Sequence, residues 1–121
     1  MKPNFTSIGA TCAALGVAFG AFGAHGLRDR VDATQLGIWE TATRYLLVGA
    51  LGTVLFGLAQ GKSERGTLPG WLLLVGSILF AGSLYALVLG APRIIGAITP
   101  FGGLGLIGGF AAFAISARSR S

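Results

Sequence analysis

Four long stretches of this chain contain no Asp, Glu, Lys or Arg: residues 3–27, 45–61, 66–92 and 94–117. A soluble domain coats itself with roughly a quarter charged residues. Here only 11% of 121 residues are charged, 53% are hydrophobic, and the charges gather between the stretches. A helix needs about 20 mainly apolar residues to cross the hydrocarbon core. Three of the stretches exceed that length, and the second can borrow residues from its polar flank. Unpaired backbone groups are not tolerated in lipid, and the runs are continuous rather than alternating, so helices are expected and a β-barrel is not. The expected fold is an all-α membrane protein: one four-helix transmembrane bundle over residues 1–121. Its spans are expected at about 6–24, 44–60, 70–89 and 101–116, with an interfacial amphipathic stretch between the first two.

The chain has 21 glycines. In water they would weaken helices. In a membrane, helices associate by close packing, and small residues let their backbones approach. Cys12, Gly16, Gly20 and Ala24 recur at every fourth position of the first span, and His25-Gly26 is expected to end it. Gly82, Ala86 and Gly90 form a similar stripe in the third span, and Gly105 and Gly109 in the fourth. Gly16, Gly20, Gly82, Gly105 and Gly109 are the expected packing positions.

Residues 27–44 are the most polar segment. Asp32 with Gln35 three positions on resembles a capping box, so a helix is expected from about Ala33. Leu36, Trp39 and Leu46 fall near one face of it, and Glu40 and Arg44 have the favoured spacing and order for a helical ion pair. Residues 61–68, with Lys62, Glu64 and Arg65, read as a polar hairpin loop. Pro69 suits the first turn of the third helix, and Thr99-Pro100 reads as N-cap and first position of the fourth. Pro92 and Arg93 interrupt the run, leaving residues 94–98 as a short connector.

Few residues could carry chemistry. His25 is the sole histidine, placed where a helix end favours a cation. With Cys12 thirteen residues away it is too little for a metal site, which needs three or four converging ligands. Gly20, Gly23 and Gly26 mimic a dinucleotide-binding glycine pattern but lack the preceding strand and the downstream acid. No P-loop, nucleophile–base pair or paired carboxylates are evident. No cofactor or metal, and no catalytic residue, is therefore expected. The net charge of +5 reads as membrane flanks, not as a nucleic-acid surface. His25, Trp39, Glu40, Arg44, Tyr45, Tyr85 and Thr99 form the candidate functional cluster. They lie at or near the ends of spans that share one membrane face.

Gly20-Ala-Phe-Gly-Ala-His-Gly-Leu27 resembles the hallmark of the domain of unknown function 423 family. These are small membrane proteins that include the bacterial YgdD-like inner-membrane proteins and the animal transmembrane protein 256. Trp39-Glu-Thr-Ala42 with Tyr45, Leu79-Phe-Ala-Gly-Ser-Leu-Tyr85 and Ile98-Thr-Pro-Phe-Gly-Gly103 resemble its later blocks, in order. The family carries a histidine in a His-Ala-Leu context where this chain reads Gly49-Ala-Leu51. The resemblance implies a four-helix inner-membrane protein and no established activity.

Three functions are weighed. The first is a packing or accessory component of a homo-oligomer or larger membrane complex, in contact with the lipid bilayer. The second is a small carrier or pore for a neutral or lipidic solute, and the third an enzyme acting on a lipid or quinone. Lys2, Lys62, Arg65, Arg118 and Arg120 outnumber Arg28, Arg30, Arg44 and Arg93 across the membrane, so both termini are expected in the cytoplasm. The first apolar run is longer than a signal-peptide core and is expected to be retained.

Overall fold

The structure, a computed structural model, describes residues 3–60 and 66–118. The expected 61–68 loop falls mostly outside them, with Lys62, Glu64 and Arg65, as do Lys2 and Arg120. Helix α1 spans Phe5–Phe22, α2 Ala33–Gln60, α3 Leu68–Val88 and α4 Thr99–Arg118. A π-helical turn, Gly23–Leu27, extends α1, and a 3₁₀ helix, Arg93–Ala97, leads into α4. All four helices are long and apolar enough to cross a membrane.

Local chemistry explains most of the ends. Asn4 accepts the Ser7 backbone N–H at 3.0 Å and starts α1. Asp32 accepts from the Gln35 N–H at 2.8 Å and starts α2, the cap read from sequence. The polar segment after it feeds directly into the second span, as its amphipathic pattern predicts. It forms the first turns of a continuous 28-residue α2, ~42 Å long at 1.5 Å per residue, and its apolar face is buried. Gly90, at φ +107°, ends α3 with Ala91 N–H donating to the Ala86 carbonyl at 2.9 Å. This is a glycine cap, not part of a packing stripe. His25-Gly26 does not end the first helix, since Gly26 keeps a negative φ and the helix continues to Leu27. Thr99 is not a non-helical cap either. The chain arrives already helical, with Gly102 N–H donating to the Ile98 carbonyl at 3.3 Å.

Sequential neighbours pack together: α1 on α2, α2 on α3 and α3 on α4, while α1 and α4 make no substantial contact. In the apolar windows of the first and last spans 17% of residues are buried, against 44% in the middle two. α2 and α3 are thus central and α1 and α4 flank them. The core falls into two clusters. One holds Leu27, Trp39, Ala42, Leu46, Ala81, Tyr85 and Val88; the other holds Phe5, Phe56, Leu73 and Leu106. Where α3 crosses α4, a Cβ on Gly76 would lie 2.8 Å from the Leu106 nitrogen, and one on Gly102 would strike the Phe80 backbone.

The five expected packing glycines behave differently. A Cβ at Gly16 would meet Leu47 at 2.7 Å, at Gly20 Thr43 at 3.2 Å, at Gly105 Gly76 at 3.1 Å and at Gly109 Leu73 at 2.9 Å. Gly82 has open space around it; it lies on the exposed face of α3. The α1 contact stripe runs Gly9, Gly16, Gly20, Gly23 rather than through every fourth residue. A strict four-residue repeat drifts ~40° per step around a helix of 3.6 residues per turn, which turns Ala24 outward.

Gly102→Ala is expected to destabilise the protein by about 1–3 kcal/mol, the usual cost of overpacking. Gly82→Ala should stay within about 0.5 kcal/mol of the parent. Unfolding of the two variants in the same detergent checks both values.

Candidate functional site

The hydroxyl and aromatic groups meet where α1 ends, α3 ends and α4 begins. Trp39 and Thr43 lie one turn apart on the buried face of α2. Trp39 is only 3% exposed. Its indole N–H donates to the Phe19 carbonyl at 2.8 Å, so a side chain of α2 is bonded to the backbone of α1. The indole also fills the space a side chain on Gly23 would need: a Cβ there would come within 2.5 Å of its ring. Tyr85 stands on the α3 face that also buries Ser77, Ala81 and Val88. Its ring sits 4.2 Å from that of Trp39, tilted by 47°, and edge-on to Phe19 at 5.2 Å. Its hydroxyl shares a 2.6 Å hydrogen bond with Thr43, either group being able to donate. A second hydroxyl pair, Ser83 and Thr99 at 2.5 Å, ties α3 to the start of α4, and Ser83 also donates to the Phe80 carbonyl at 3.0 Å.

Of the seven candidate residues, Trp39 and Tyr85 stand together, and Thr99 makes its bond on the same end of α3. The other four do not join them. His25 is exposed on the π turn. Glu40 and Arg44 are exposed on the outer face of α2, and no ion pair links them. An exposed helical pair gains little after its side-chain entropy is counted. Tyr45 is 40% exposed and packs edge-on against Phe80 at 5.1 Å. Gly49 faces Ser77 at the α2–α3 crossing, where a side chain would collide. It lies ten residues beyond Trp39, ~15 Å along the helix, so a histidine at that position would not reach His25.

Thr43, Phe19 and Ser83 join the site from outside the seven candidate residues. Thr43 was detectable, because it is four residues after Trp39 and three before Leu46, which puts its hydroxyl on the apolar stripe. The Phe19 contribution is a backbone carbonyl and leaves no mark in the side-chain pattern.

Beside this cluster a lateral groove of about 260 Å³ opens between α1 and α3. Cys12, Leu15, Phe19, Ile78 and Gly82 line its walls, and Leu46 its floor.

The Thr43–Tyr85 bond should show as a coupling of about 0.6–1.7 kcal/mol in a double-mutant cycle of Thr43→Val and Tyr85→Phe, the range for hydroxyl bonds between membrane helices. Additive losses, measured by reversible unfolding in bicelles, would remove the bond from the account.

The family described as "Protein of unknown function (DUF423)" matches residues 19–103, a span that holds every side chain of the cluster. A UPF0382 membrane protein of Staphylococcus haemolyticus is 42% identical over 113 residues, 93% of each chain. One from Staphylococcus saprophyticus is 45% identical over 107 residues, 88% of this chain and 89% of the relative. The Bacillus subtilis UPF0382 membrane protein YwdK is 44% identical over 106 residues, 85% of this chain and 86% of its own. No solved structure matches. With its four apolar helices and these relatives, the chain belongs to the DUF423 family of membrane proteins, for which no specific biochemical role is indicated.

Proposed function

We propose that this protein is a non-enzymatic packing component of a membrane assembly, either a homo-oligomer or an accessory subunit of a larger complex. The reading rests above all on how its polar groups are used. The Trp39 indole bonds the α1 backbone, and Tyr85 and Thr99 are taken up by Thr43 and Ser83. Polar groups so placed hold helices in register. The outer surface of α1 adds support: Ala10, Ala14 and Ala18, four residues apart, are all exposed, a smooth face of the kind that membrane helices use against one another. The charge distribution supports a plasma-membrane (inner-membrane) location with both termini in the cytoplasm.

The carrier reading has one observation in its favour. The lateral groove is lined by apolar groups, which suits a lipidic solute and not a polar one. Transport of a fluorescent lipid across proteoliposomes would promote this reading over the first.

Extracted from its native membrane with surrounding lipid, the protein is expected to run as a multimer or with a stoichiometric partner. Ala14→Phe should shift it toward the monomer while leaving the helix content of the chain unchanged. A wild-type chain that is strictly monomeric and partner-free would overturn the proposal. Labelling of a terminal cysteine from the outside of intact cells would overturn the orientation.

A further inference from the structure

The α1 helix does not stop regularly; it widens into the π turn Gly23–Leu27. A π turn closes its hydrogen bonds over five residues instead of four, so it holds one residue more than an α turn. Such turns are rare and recur at functional sites. Two of its five residues are glycine, which weakens the preference for any one helical form. The packing around it comes chiefly from α2. Trp39 lies against Gly23 and bonds the Phe19 carbonyl just before the turn. The Phe22 ring is 5.7 Å from Trp39 and lies over Gly26, where a Cβ would come within 2.9 Å of it. Leu27, the last residue of the turn, is 5% exposed and belongs to the same core cluster as Trp39 and Tyr85. Between these anchors Ala24 and His25 face outward.

We propose that Gly23–Leu27 is a latched conformational element: Trp39 holds it in the wide register that keeps Leu27 in the core and His25 outside, and withdrawal of the indole lets it tighten to an α turn. Tightening gives the same number of residues more rotation and more rise. Leu27 then turns out of the core cluster that it shares with Trp39, and His25 changes its direction at the membrane face. Because Trp39 stacks on Tyr85, and Tyr85 bonds Thr43, the latch connects the end of α1 to both central helices. Whatever displaces the indole therefore moves the sole histidine.

Amide exchange in lipid nanodiscs tests this. Trp39→Phe keeps ring bulk and removes the N–H donor. It is expected to speed exchange of residues 23–28 about fivefold, the factor set by the loss of one ordinary hydrogen bond, with α4 unaffected. Deletion of Ala24 removes the surplus residue and should give a folded protein with an α turn, in which Trp39→Phe no longer alters exchange at the turn. A control deletion of Ala14, inside the regular part of α1, has no surplus residue to absorb it and should destabilise the protein far more, because it turns the Gly9 and Gly16 contacts about 100° out of register with each other. Unchanged exchange at 23–28 in Trp39→Phe overturns the latch, as does an equal rise throughout the chain. A protein that cannot fold without Ala24 overturns the surplus residue.

Discussion

Helices in a bilayer are not squeezed together by water, so this structure depends on contact between backbones. The crossing of α3 and α4 shows the constraint most directly. Gly76 and Gly102 bring the two main chains so close that a methyl group would collide, and Gly105 packs tightly on Gly76. α1 reaches the α2 backbone in the same way at Gly9, while Gly16 makes room for the Leu47 side chain. Dispersion between closely packed atoms is small for each pair and large in sum, and lipid chains cannot fill a gap that narrow. A chain with so many glycines would be a poor helix former in water. In lipid the same composition permits helices, because leaving backbone groups unpaired is costlier than the glycine penalty.

Hydrogen bonds then fix what packing leaves free. A smooth glycine surface can slide or rotate on its partner. The indole of Trp39 bonds one fixed carbonyl of α1, and the hydroxyl pairs Thr43–Tyr85 and Ser83–Thr99 join α2 to α3 and α3 to α4. These three ties lie toward one membrane face. The four sequence blocks that carry the family resemblance each supply part of them: Gly20 and Gly23 the space, Trp39 the indole, Ser83 and Tyr85 two hydroxyls, and Thr99 the last.

Much of this was legible in the sequence because charge is so unevenly spread. The absence of Asp, Glu, Lys and Arg over four runs marks the helices, and Asp32 with Gln35 marks where α2 starts. The helix ends were less legible where tertiary contacts decide them. His25-Gly26 looks like a stop, but Gly26 is there so that Phe22 can lie over it. Gly82 and Gly90 share a stripe on paper, yet one is open and the other is a left-handed cap. Thr99 looks like an N-cap, and its hydroxyl is used sideways on Ser83. Of the candidate site, only the residues that face inward came together. Spacing identifies the face of a helix, but not which exposed side chains find partners across it.

The two core clusters have a consequence for how the molecule comes apart. They share no buried residue, although α2 and α3 run through both. Separate clusters on shared helices are the arrangement in which opening starts locally rather than everywhere at once. The Phe5–Phe56–Leu73 end can stay assembled while the tryptophan end loosens, so that a local opening in the membrane need not become unfolding.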